Sequence, residues 1–138
     1  MGNLLTSFRL NDNFLGKYET LAAEQVIPYQ EQALRDEIPD AEKSHAIENF
    51  RLAAKMLAEG RCNAEFYGMV FQDSDVAKWL EAAAYSLVNH PDPALEARVD
   101  ELIALIGNAQ HEDGYLNTYF TVKEPDRKWT ITAIPYYA

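Results

Sequence analysis

Between Phe14 and Gln110 the apolar residues recur at intervals of three and four, and no strand-like alternation separates the stretches that carry them. A chain patterned this way has helices to bury and no parallel sheet to bury them on. The expected fold class is therefore all-α, with helical hairpins packed in sequence. Leu21, Ala22, Val26, Tyr29, Ala33 and Leu34 mark a first helix over 14–38, bent where Pro28 interrupts the hydrogen-bond ladder. Ala46, Ile47, Phe50, Ala53, Met56 and Leu57 mark a second, which ends at Gly60, a residue suited to the left-handed turn after a helix. Residues 61–72 lose the period and read as an extended loop in which Val70 and Phe71 dip toward the core.

Asp73-Ser74-Asp75 supplies short oxygen-bearing side chains and negative charge for the start of a third helix, which buries Trp79. Asp92-Pro93 opens a fourth that runs to Gln110, with Asp92 as cap and Pro93 in the first helical position. Residues 115–122 alternate weakly and read as a short extended segment or hairpin arm, and 123–138, with Pro125 and Pro135, as a loose tail.

At 138 residues and 15.7 kDa the chain is expected to form one domain over 1–138. Its apolar fraction of 48% and charged fraction of 25% are those of a globular protein. A net charge of −10 repels phosphate backbones and anionic membrane surfaces, which argues against nucleic acid and membrane as partners. The lone Cys62 can neither close an internal disulfide nor build a multi-cysteine metal site, so a reducing, cytoplasmic location is expected and a metal site is not. No apolar run approaches the roughly 20 residues that span a bilayer, and the opening residues lack the basic and apolar regions of a signal peptide.

Few groups are placed to carry chemistry. Gln72, Asp73 and Asp75 set an amide and two carboxylates at one helix mouth, suited to hydrogen-bonding sugar hydroxyls, although capping accounts for the same residues. His45, at a helix start beside Ser44, either faces a ligand or titrates in water. His90 precedes a proline in a turn and His111 follows a helix end that welcomes a cation, and neither spacing is that of a metal site. Tyr115, Tyr119, Phe120 and Trp129 form either an aromatic platform for a sugar or part of the core.

Several longer runs go further. Glu24-Gln25-Val26-Ile27-Pro28-Tyr29-Gln30, Ser44-His45-Ala46 with Asn49-Phe50-Arg51-Leu52-Ala53-Ala54, and 71–82, which begins Phe71-Gln72-Asp73-Ser74-Asp75, resemble glycoside hydrolase family 127. His90-Pro91-Asp92-Pro93 and 110–119, around Asp113-Gly114-Tyr115-Leu116-Asn117, continue the likeness in unbroken order over about 14–130.

The resemblance implies a retaining β-L-arabinofuranosidase whose catalytic domain is an (α/α)6 barrel, of which this chain holds the first helical hairpins. It implies a cysteine nucleophile held with further cysteines and a glutamate around zinc, all in later parts of the family's chain. No catalytic residue therefore transfers here, Cys62 included, and no cofactor is expected on this chain. Where the family carries a His-Glu pair soon after the Trp129-Thr130 position, this sequence reads Ile131-Thr132-Ala133-Ile134, so a truncated or frame-shifted product is expected. His45, Gln72, Asp73 and Asp75 are the candidate substrate contacts, with L-arabinofuranosides as the expected ligands. The alternative is a non-catalytic helical module that binds a sugar or a protein. A barrel opening leaves helix faces uncovered, so a homodimer is expected, with Trp79, Leu80, Ala83, Ala84, Leu87, Ile103 and Ile106 supplying the exposed surface.

Overall fold

A computed structural model describes residues 10–61 and 64–129. It contains α1 (Leu15–Leu21), a π-helical turn (Ala22–Val26), α2 (Ile27–Leu34), α3 (Ala46–Glu59), α4 (Asp73–Asn89), α5 (Pro93–Asn108), α6 (Thr118–Val122) and a 3₁₀ turn (Pro125–Arg127). The described residues contain no strand.

The first helix is broken as Pro28 requires, but the break lies upstream of the proline. Pro28 has no N–H to give the carbonyl four residues back, and its ring crowds that carbonyl. The turn before it widens into a π-helix, in which the Ile27 N–H reaches the Ala22 carbonyl, and Pro28 then sits in the first turn of α2. Beyond α2, Asp36 takes the left-handed conformation at φ 62°. Its N–H reaches the Ala33 carbonyl and the Glu37 N–H the Gln32 carbonyl, a Schellman closure. The Asp36 carboxylate then crosses the connection and accepts from the Ser44 and His45 amides at 2.7 and 3.0 Å, which secures the start of α3. Gly60 closes α3 at φ 68°, as its position predicts. Asp92 caps α5 as predicted, accepting from the Ala94 and Leu95 amides at 2.9 and 3.2 Å.

One core joins these elements. Ile27, Ala46, Ile47, Phe50, Ala53, Val76, Trp79, Ala83, Leu95, Val99, Leu102 and Ala109 form a single buried cluster. α4 packs against α2, α3 and α5, and α3 also packs against α5 and α6. Ala46, Ala53 and Ala83 are fully buried, and their small side chains let neighbouring helices approach. Trp79 is buried and donates its indole N–H to the Ile27 carbonyl at 3.0 Å, tying α4 to α2. Glu31, 5% exposed, is held by Arg35 and Arg98, each at 2.9 Å, so its buried charge is paired.

The structure corrects several expectations. Residues 118–122 form α6 instead of an extended arm. Asn117 accepts from the Phe120 amide at 3.0 Å, and Thr118 is anchored from α4, which outweighs the weak alternation of the segment. Residues 123–129 are no loose tail: Glu124 accepts from the Tyr119 hydroxyl and from Arg127, both at 2.6 Å, and orders the 3₁₀ turn. The rest of the expected tail, 130–138, lies outside the described residues, as does Cys62. In the 61–72 loop it is Phe66 that is buried, against Tyr119 with ring centroids 5.2 Å apart, whereas Phe71 is exposed.

The expected source of uncovered surface also moves. Trp79 and Ala83 are buried, while Leu80, Leu87 and Ile106 lie half-buried against the core. Only Ala84 and Ile103 of that set are exposed. Among the described residues the longest run of exposed apolar side chains lies on the first helix, where α1 buries none of its residues and Phe14, Tyr18, Leu21, Val26 and Tyr29 are all exposed.

Candidate functional site

The predicted contacts gather where the α2–α3 connection meets the start of α4. His45 is the last residue before α3 and takes φ 53°, so its backbone turns sharply while Asp36 holds its amide. Its ring lies 4.7 Å from that of Tyr67, and its Nδ1 is 3.6 Å from Asp36 Oδ2. Gln72 reaches back to the same connection, its Nε2 donating to the Ser44 carbonyl at 3.2 Å. Gly68 makes that reach possible: at φ 101°, a Cβ there would stand 2.8 Å from Gln72 Oε1.

Asp73 points elsewhere. It does not cap α4, which has no side-chain cap: the amides of Ser74 and Asp75 go to the carbonyls of Phe71 and Gln72 in the preceding turn. The Asp73 carboxylate instead accepts from the Thr118 amide at 2.7 Å and the Thr118 hydroxyl at 2.5 Å. Burial pushes its pKa up, and the two bonds from Thr118 act in the opposite direction. Asp75 faces a cavity of about 470 Å³ lined also by Gln30, Ser44, Lys78 and Trp79, with Lys78 Nζ 3.3 Å from its Oδ1.

Thus His45 and Gln72 meet at Ser44, Asp75 shares a cavity with Ser44, and Asp73 serves α6. The cavity brings the Asp75 carboxylate, Ser44 and Gln30 beside apolar Ala33, Leu34 and Trp79, a mix of acceptors and donors suited to a hydroxyl-bearing ligand.

Two residues that hold this region together escaped the sequence reading. Asn49, 1% exposed on α3, clamps the 61–72 loop by donating to the Tyr67 carbonyl at 2.8 Å and accepting from its amide at 3.4 Å. Asp36 secures Ser44 and His45. The one available signal was an Asn on the apolar face of a helix, where only a buried partner accounts for it.

The aromatic residues after Gly114 divide between core and surface. Phe120 is buried, and Trp129, 74% exposed, lies against Tyr115 with ring centroids 4.7 Å apart. His90 is 3.6 Å from Glu19, and its Nε2 is buried without a hydrogen bond. Among the described residues no three His, Cys, Asp or Glu side chains converge on a metal position, and the zinc ligands that the resemblance implies lie in later parts of the family's chain. No helix among the described residues is long and apolar enough to cross a membrane.

Comparison with known proteins gives these elements a family. Residues 7–138 match the β-L-arabinofuranosidase GH127 catalytic domain. A non-reducing end β-L-arabinofuranosidase of Bifidobacterium longum subsp. longum is 49% identical over 112 residues, which cover 72% of this chain and 16% of that protein. A solved GH127 β-L-arabinofuranosidase from Geobacillus stearothermophilus T6 superposes with a TM-score of 0.81 at 59% identity, over 88% of this chain and 18% of that one. A second solved GH127 β-arabinofuranosidase gives a TM-score of 0.72 at 32% identity, over 85% of this chain and 17% of its own. The chain spans about a sixth of the length of these relatives. With its helical hairpins part of an (α/α)6 barrel, the chain belongs to glycoside hydrolase family 127.

Proposed function

We propose that this chain forms the opening part of the catalytic barrel of a β-L-arabinofuranosidase and serves the hydrolysis of terminal L-arabinofuranosyl linkages only together with the rest of such a barrel. The observation that carries this reading is a family match over residues 7–138 to relatives of which the chain spans about a sixth. Local chemistry agrees. Glu31 is committed to two arginines and Asp73 to Thr118, which leaves neither poised to protonate a leaving group. The nucleophile and any zinc belong, on this reading, to parts of the barrel outside these 138 residues.

The substrate contacts made by this part are Asp75 and Ser44 in their shared cavity, with His45 next to Ser44 in sequence. Gln72 and Asp73 act as positioning residues, through Ser44 and Thr118. Incubating the purified chain with an aryl β-L-arabinofuranoside should give no turnover, and titration with L-arabinofuranosides should move amide resonances around Ser44, His45 and Asp75. Turnover at the rate of an intact glycosidase would overturn the reading. A homodimer is supported by the uncovered stripe on the first helix.

A further inference from the structure

His111 stands where three segments meet. It follows α5, its Nε2 lies 3.0 Å from the Thr121 hydroxyl on α6, and its Nδ1 lies 3.1 Å from Lys128 Nζ just after the 3₁₀ turn. A lysine ammonium can only donate, so Nδ1 accepts, the ring proton sits on Nε2, and Nε2–H donates to Thr121 Oγ1. The Thr121 hydroxyl then gives its own hydrogen to the Asn117 carbonyl at 2.8 Å. Every hydrogen in this chain has a place while His111 is neutral. When His111 is protonated, Nδ1 gains a hydrogen that faces an ammonium nitrogen, and two cations stand 3.1 Å apart.

The neighbouring charges do not reverse this. Asp113 in the same turn attracts an imidazolium, but burial and Lys128 act against it, and the imidazole pKa lies below its ordinary value. From α3, Lys55 and Glu59 line the cavity of about 850 Å³ beside His111, together with Glu112 of its own turn. Lys128 also lies over the Tyr115 ring at 5.3 Å, and Tyr115 meets both His111, at 5.7 Å, and Trp129, at 4.7 Å. Trp129 itself is held at φ 63°, a conformation that a large side chain adopts only when its surroundings impose it.

We propose that the His111–Lys128 contact is a pH-operated latch, which holds Lys128 and Trp129 on the α5–α6 turn while His111 is neutral and frees them when it takes up a proton, the 3₁₀ turn before them staying tied through Glu124. The release moves Trp129 away from Tyr115 without disturbing the core, since neither residue belongs to the buried cluster.

The test is a two-dimensional NMR titration of the 138-residue chain from about pH 8 to pH 5, across the histidine range. The Trp129 indole resonance is assigned by Trp129→Phe, and buried Trp79 serves as internal reference. His111 should titrate below the ordinary value of about 6.5, and the Trp129 indole should shift with the same midpoint. His111→Gln should abolish that shift. Lys128→Met should raise the His111 midpoint and give Trp129, already at pH 8, the position that it otherwise takes in acid. A Trp129 resonance that ignores the His111 titration, responds equally in His111→Gln, or is unmoved by Lys128→Met overturns the latch. If His111→Gln fails to fold, Lys128→Met decides alone.

Discussion

Asp73 shows how a single carboxylate is redirected by its tertiary surroundings. At the mouth of α4 it is chemically fit to cap that helix, yet the preceding turn already takes up the amides of Ser74 and Asp75, and Thr118 offers it both an N–H and an O–H. Asp73→Ala leaves those two donors without their acceptor and should cost about 1–3 kcal/mol, the range for an unmet buried polar group. Urea unfolding reads the loss, and faster amide exchange at Thr118 localises it to α6. The pH dependence has a definite sign. Burial holds the folded Asp73 pKa above the unfolded value of about 3.9, so the folded chain binds more protons between those two values. That contribution to stability is complete below about 3.9 and is lost as pH rises through the folded value. Asp73→Ala should flatten the corresponding slope of stability against pH.

At the scale of an element, the helices differ in how they are started. Asp92 caps α5 with its own side chain, whereas α3 begins on the carboxylate of Asp36, nine residues before His45. Removing the first device disturbs one helix, and removing the second also loosens the connection between two. Asp92→Ala should therefore cost about 1 kcal/mol, the usual worth of a cap. Asp36→Ala should cost more, because Ser44 and His45 lose their acceptor and a left-handed residue no longer favours Asp. Thermal unfolding of the two variants side by side checks the order, and an equal effect would mean that water replaces Asp36.

Across the whole molecule, the core is built mainly on α3, α4 and α5, and the exposed stripe on α1, the π turn and the start of α2, which also gives Ile27 to the core. α3, α4 and α5 pack around one cluster, while α1 buries no residue and the stripe from Phe14 through Tyr18, Leu21 and Val26 to Tyr29 stays open. The five-residue step from Leu21 to Val26 falls on the π turn, which keeps the stripe continuous across the break. In the isolated chain this stripe is the proposed seat of self-association. At micromolar concentration and physiological salt, sedimentation equilibrium should report about twice the chain mass of 15.7 kDa. Tyr18→Glu combined with Tyr29→Glu should return it to monomer with its unfolding midpoint nearly unchanged, because both side chains are more than half exposed. A monomer before substitution would overturn the homodimer.

The sequence by itself determined what depends on local spacing and side-chain type. Helical periodicity gave the all-α class and the four longer helical regions, and Asp92-Pro93 and Gly60 marked real boundaries. The runs from 24 to 119 carried the family likeness that the comparisons bear out. Tertiary structure decided whatever needed a partner far along the chain. Asp73 turned to Thr118, 45 residues away, and that anchor with the Asn117 cap made a helix of a segment whose own alternation was weak. Asn49 found Tyr67, Asp36 found the start of α3, and Glu31 found Arg98. A short polar side chain can satisfy its hydrogen bonds in several ways of nearly equal energy, so local pattern leaves the choice open until packing fixes which donors and acceptors lie within reach.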